Sequence, residues 1–268
     1  MNNIYISCMY NIGDKERGDL KNKKNILLDE YINSFKILIT KVNKLIVFVD
    51  NEIYKNIKIF ENDNIKIINI ELEKTYFYKY KNEIVNALKK MDEKNIKNSL
   101  LFKTKNYDII SLYIIIISNK IWFFEKVKEI YKDIKQLIWI DFGVFRHKNM
   151  INENYIFKNE NIKKTDKMLL FINSLEKNIK VSINNININD TLYLINKSRT
   201  EIGATIFIIN REYVSKIFDI YDKKVKLLLE NNTITTEQGI LTLIAKDNND
   251  LFDYIQSSYN NVVMKFFN

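Results

Sequence analysis

The chain has no proline, one cysteine, one histidine and five glycines in 268 residues, and most of these scarcities close off a class of chemistry. Cys8 stands alone in an apolar amino-terminal run, so it forms no internal disulfide and reads as core. The single histidine, His147, rules out a histidine-based zinc cluster. With Cys8 in a strand, a Cys/His catalytic pair is implausible too. Gly13 and Gly18 compose neither a G-x-G-x-x-G nor a Walker-type loop, which disfavours dinucleotide and P-loop chemistry. The longest uncharged apolar run, Ile109 to Asn119, falls short of the ~18 residues that span a bilayer. No basic segment followed by an apolar one opens the chain, so no secretory leader is expected and a cytoplasmic location is. The missing prolines accompany a heavy load of Ile, Asn and Lys, residues with AT-rich codons, and the bias reads as genomic.

What is present is the balance of a globular protein, 46% hydrophobic and 28% charged, in a chain long enough for a substantial core. The net charge is +9, but the lysines alternate with acids, as in Glu71-Leu72-Glu73-Lys74 and Lys89-Lys90-Met91-Asp92-Glu93-Lys94. A nucleic-acid protein more often gathers such charge into one patch or stripe. Tyr76-Phe77-Tyr78-Lys79-Tyr80-Lys81 mixes aromatics with lysines as a single-strand groove does, yet chance suffices in a chain so rich in both. No nucleic-acid partner is expected. The excess charge suits a phosphorylated ligand or peripheral contact with the anionic inner face of a membrane.

Hydrophobic periodicity predicts strands at Ile4–Met9, Lys44–Asp50, Ile65–Ile70 and Leu137–Ile140, with helices at Ile26–Val42, Lys81–Lys90 and Tyr107–Tyr131, the last breaking near Ser118-Asn119. A polar stretch from Arg146 to Lys167 is too long for a simple connection. Beyond it lie short strand candidates at Leu169–Ile172, Ile179–Ile183, Thr191–Ile195, Ala204–Ile209 and Val262–Phe267. Helices are expected at Glu212–Leu229, Glu237–Asp247 and Leu251–Ser257. Strands alternating with helices in the first half predict an α/β fold with a mainly parallel central sheet flanked by helices. A small second sheet is expected from the carboxy-terminal half. No internal repeat or linker divides the chain.

Three apolar strands run into polar loops: Met9 before Asn11 and Gly13, Val49 before Asp50, and Ile140 before Asp141. If these strands are parallel neighbours, their carboxyl ends share one rim, where ligands bind in open α/β sheets. Asp141, after the continuous apolar run Leu137–Ile140, can hold a divalent metal and through it a phosphate, or it can be a turn or cap carboxylate. Asp50 fits a cap of the helix that follows. Arg146 offers a forked donor suited to phosphate, and beside it His147 reads as a solvated loop residue. Thr235-Thr236-Glu237-Gln238-Gly239 is a helix start, with Thr235 as the cap and Gln238 at the third position. Glu237 could equally project a carboxylate into a cleft at the helix mouth.

Together these residues resemble the HtrL/YibB (WlaTC-like) family. Tyr5-Ile6-Ser7-Cys8-Met9-Tyr10-Asn11-Ile12-Gly13 looks like its amino-terminal strand and turn, and Tyr31 through Asp50 is similar in placement. Trp139-Ile140-Asp141-Phe142-Gly143, with Arg146 close behind, looks like its Trp-Ile-Asp-x-Gly signature, the most specific match. Glu237-Gln238, followed by Asn249-Asp250-Leu251-Phe252, resembles its carboxy-terminal segment. The resemblance implies a single GT-A-like domain over residues 1–268, with a nucleotide-binding half at 1–145 and an acceptor-side half at 146–268. It implies a glycosyltransferase that moves a sugar from a nucleotide donor to a surface-glycan or lipid-linked acceptor, assisted by Mn²⁺ or Mg²⁺ at Asp141. By the same resemblance Glu237 and Asp141 are catalytic, and Asn11, Gly13, Asp50, Lys120, Arg146, Gly203 and Gln238 contact the donor or line the acceptor side. The chain departs from the pattern in having Gly143 at the third position of the Asp-x-Asp, Asn11 where the family often has Asp, and no proline before the middle helix. The alternative is a non-catalytic nucleotide- or glycan-binding protein on the same fold.

Overall fold

The computed structural model describes residues 3–12, 24–94, 106–146, 162–172 and 202–257. The amino-terminal half alternates strand and helix: β1 (Asn3–Met9), α1 (Lys24–Ile39), β2 (Leu45–Val49), α2 (Asn51–Ile57), β3 (Ile65–Asn69), α3 (Lys81–Glu93), α4 (Tyr107–Ile130) and β4 (Gln136–Ile140). The remainder supplies β5 (Met168–Ile172), β6 (Ile202–Asn210), α5 (Val214–Glu230), α6 (Glu237–Asp247) and β7 (Phe252–Gln256). All seven strands join one sheet in the order β3-β2-β1-β4-β6-β5-β7. Pairing is parallel throughout β3-β2-β1-β4 and again between β5 and β7, while β6 runs antiparallel to both of its neighbours.

The central strands β2 and β4 are buried at every position, as the apolar runs Leu45–Val49 and Leu137–Ile140 require. Alternation within them divides the core in two. Tyr5, Val47 and Ile138 point to one face and meet α1 and α2 through Phe35, Leu38 and Ile53. Ile6, Phe48 and Trp139 point to the other, which α3, α4, α5 and α6 cover. Helices on both faces of a mostly parallel sheet make the fold α/β, as the alternating pattern predicts.

Three expectations give way. The small second sheet does not form from the described strands, because β6 pairs directly with β4 and carries β5 and β7 into the same sheet. The helix expected at Leu251–Ser257 is a short 3₁₀ turn followed by strand β7, parallel to β5. Leu251, Tyr254 and Ile255 keep helical spacing, but Phe252, Tyr254 and Gln256 alternate equally well, and a free sheet edge decides between the periods. Helix α4 does not break at Ser118-Asn119. The Asn119 amide donates to its own Ile115 carbonyl at 2.9 Å and to the Thr75 hydroxyl at 2.8 Å, while its oxygen accepts from the Phe77 N–H. A side chain so occupied satisfies the polar group without opening the helix. The strands expected at 179–183, 191–195 and 262–267 lie outside the described residues, as does most of the polar stretch 146–167.

Among the described residues, α4 is the helix long and apolar enough to cross a membrane, and two-thirds of its most apolar window (67%) is buried inside the protein. It is the helix laid against β1 and enclosed by α3 and α5, which accounts for its composition.

Gly203 on β6 has a packing reason. It stands opposite Phe171 of β5, and a Cβ there would come within 1.6 Å of the Phe171 ring. Gly203→Ala is therefore expected to destabilise the fold by about 3 kcal/mol, the upper end of ordinary overpacking. Urea unfolding reads this directly, and Phe171→Leu in the same chain should recover part of the loss.

Candidate functional site

Strands β1, β2 and β3 build outward in one direction, and the chain then returns through α3 and α4 to lay β4 on the other side of β1. The boundary between β1 and β4 is thus a topological switch point, and the crevice beyond the carboxyl ends of these strands is where such sheets bind ligands. Asp141 is the first residue past β4 at that boundary, and its N–H is held by the Thr205 carbonyl of β6 at 2.9 Å.

Residues two apart on a strand share a face, so Asp141 lies on the same side as Trp139, toward α4. The Trp139 indole N–H donates to Asp141 Oδ1 at 2.7 Å. The same oxygen accepts from Lys120 Nζ at 2.9 Å. Lys120 projects from the middle of α4 and is almost wholly buried, and Nζ makes two further contacts: Glu237 Oε1 at 3.0 Å and the Ala204 carbonyl at 3.0 Å. Antiparallel β6 makes the last one possible, because its first residues reach the edge where β4 ends. Glu237 is the first residue of α6, where a carboxylate also meets the positive end of the helix. Three separate segments thus converge on one ammonium carried by a fourth.

An ammonium carries three donors, and all three are engaged. Burial alone would depress the Lys120 pKa, but the charges and hydrogen bonds of Asp141 and Glu237 outweigh it and hold the group above its ordinary range. Lys120 therefore contributes charge and position here, with no donor left for a phosphate. Asp141 Oδ1 already takes two donors, and the side chain is 35% exposed, which leaves Oδ2 as its oxygen for a ligand. Cys8 couples electrostatically to all three charged groups, and burial, reinforced by the two carboxylates against Lys120, pushes its thiol up. It is a neutral thiol and not a nucleophile.

The other sequence-predicted residues fall elsewhere. Asp50 caps α2, accepting from the Ile53 N–H at 2.8 Å, and its second oxygen accepts from the Asn11 N–H at 2.6 Å. The Asn11 amide donates to Glu52 at 2.8 Å, so this pair clasps the end of β1 to α2. Arg146 stacks its guanidinium 3.9 Å from the centroid of Tyr31, a residue of α1 on the face of the sheet opposite Lys120. Gly143 permits that stack, since a Cβ there would meet the Tyr31 ring at 2.4 Å. Gln238 follows Glu237 in the first turn of α6. Gly13 and His147 lie outside the described residues.

The helix start differs from the expected capping box. Thr236, not Thr235, is the residue flanking α6, and neither hydroxyl caps it. Both threonine oxygens are buried without a partner. Thr235 is turned in against Gly239, where a Cβ would lie 2.5 Å from its Oγ1. Sequence reasoning from the residues alone also passed over Lys120, although it is the one charged side chain between Ile109 and Phe124. A lone charge in so apolar a helix is a signal of a buried, paired group.

The residues present fit a resident divalent ion poorly. Both carboxylates that could hold it already share a buried ammonium, and Gly143 supplies no second acid. Among the described residues no group of three or more His, Cys, Asp or Glu side chains gathers around a common point.

The sequence profile of a family described as "Bacterial protein of unknown function (HtrL_YibB)" matches residues 3–267. The chain belongs to the HtrL_YibB family. No curated protein matches the chain. Among solved structures, this HtrL_YibB protein is similar to 4-diphosphocytidyl-2C-methyl-D-erythritol synthase from Anaerococcus prevotii DSM 20548, with 11% identity, a TM-score of 0.43, and 97% of this chain and 88% of that one covered. It is also similar to a glycosyltransferase involved in the glycosylation of the major capsid of PBCV-1, with 12% identity, a TM-score of 0.39, and 96% and 82% covered. At such identity these are similarities of chain path, and the activities named belong to those proteins.

Proposed function

We propose that this HtrL_YibB protein is a glycosyltransferase that moves a sugar from a nucleotide-sugar donor to a surface-glycan or lipid-linked acceptor. The observation that carries the reading is the pairing of Asp141 and Glu237, fixed by Lys120, at the switch point between β1 and β4. The three groups sum to a net charge of −1, which suits accepting hydrogen bonds from sugar hydroxyls. In the proposed reaction the acceptor oxygen bonds to the anomeric carbon as the bond from that carbon to the nucleoside diphosphate breaks. Glu237 orients the acceptor hydroxyl and takes its proton, and Asp141 holds the donor sugar through Oδ2. Residues 1–145 form the donor side in this scheme and residues 146–268 the acceptor side. Mn²⁺ or Mg²⁺ is given no step.

A thermal-shift screen of UDP-, GDP-, CMP- and dTDP-sugars, with and without Mn²⁺, tests the donor assignment. At a concentration of about 100 Kd a ligand stabilises its protein by about 2.7 kcal/mol, or about 5 °C in a chain of this size. One donor base should produce that shift in the wild type and lose it in Asp141→Asn, which is also expected to abolish turnover. Binding without transfer over long incubation would instead favour a non-catalytic nucleotide- or glycan-binding protein, and an active Asp141→Asn would remove Asp141 from the chemistry.

A further inference from the structure

We infer that the Lys120 ammonium stands where a divalent cation would otherwise sit, so that the centre is internally neutralised and a cation site appears only when Lys120 is removed. The acceptors around Nζ are one oxygen from each of two carboxylates and one backbone carbonyl, at 2.9 to 3.0 Å. Carboxylates and carbonyls are the oxygen types that Mg²⁺, Mn²⁺ and Ca²⁺ select. In this protein the cage closes around a cation delivered by the chain itself. Its members come from β6, α6 and the residue after β4, around an ammonium from α4, and the sheet pairing of Asp141 with Thr205 fixes two of them relative to each other. Neither Asp50 nor Glu52 competes as an alternative cage, since both are engaged with Asn11 and α2.

The inference rests on this geometry alone and holds whether or not a sugar nucleotide is the ligand. Replacing the ammonium by an uncharged side chain leaves two buried or half-buried carboxylates and a carbonyl converging on one point. A divalent ion with two or three waters would complete such a set. An ion in the wild-type cage would have to displace a bound ammonium first.

Mn²⁺ alone is the probe, titrated by electron paramagnetic resonance into the full chain without nucleotide. The wild type is expected to bind no stoichiometric Mn²⁺, whereas Lys120→Met binds one ion per chain and its melting temperature rises as it does so. Adding Asp141→Asn to Lys120→Met should abolish that binding. A wild type that binds Mn²⁺ and loses it in Asp141→Asn overturns the inference, as does a folded Lys120→Met that ignores Mn²⁺. If Lys120→Met does not fold, the wild-type titration with its Asp141→Asn control decides. Because no donor is present, failure here leaves the transferase reading standing, and an absent donor shift leaves this result standing.

Discussion

Lys120→Met is expected to lower the stability of the metal-free protein by about 3–5 kcal/mol, the cost of stranding one partner of a buried pair. Glu237 is the reason. Its side chain is at least as enclosed as that of Lys120, and no other cation contacts it among the described hydrogen bonds and ion pairs. Asp141 contributes less because it reaches solvent. The sign of the pH dependence follows from the direction of the Lys120 shift. Its folded-state pKa is raised, so the stabilisation is fully present below the value of an unfolded lysine, about 10.4, and is lost as pH rises through the higher folded value. The gap between wild type and variant in urea unfolding should therefore be level from neutral pH to about 10 and narrow only above it. A variant as stable as the wild type at neutral pH would mean that Glu237 finds another partner once the ammonium is gone.

Glu237→Gln is expected to cost turnover and little else. The amide oxygen can still accept from Lys120, so the fold and the position of α6 should persist, while a proton acceptor is gone. Loss of a positioned general base lowers rates by about 10²–10⁴-fold. Donor binding, read as the nucleotide-dependent thermal shift, should survive in Glu237→Gln and vanish in Asp141→Asn. That split separates an acceptor-side carboxylate from a donor-side one. Full turnover in Glu237→Gln would assign the proton to another group.

How far the sequence reveals this centre depends on the kind of signal each residue leaves. Asp141 is legible because a strand buried on both faces is one long apolar run, and the first carboxylate after it marks the rim. Asp50 reads correctly as a cap, since capping is settled by neighbours three residues away. Contacts across the chain leave no such trace. Lys120 meets Ala204 and Glu237 across 84 and 117 residues, and nothing local in the sequence names those partners. Arg146 looks like a phosphate ligand beside Asp141, yet a side chain five positions along can leave on the other face, and Tyr31 draws it there. The period of a five-residue segment is equally weak, which is why β7 reads as helix until its pairing with β5 is seen.

The antiparallel strand that brings Ala204 to Lys120 also sets an order in time. On the ribosome, β1 to β4 and the helix bearing Lys120 emerge long before β6 and α6. For that interval the ammonium has Asp141 as its neighbour from the nascent half, and neither the carbonyl nor the second carboxylate yet exists to meet it. Contacts of such separation form late and slowly. The charged centre is thus complete only once β6 and α6 are both in place, so that a contact made by Lys120 depends on residues 202–247 having folded onto the first half.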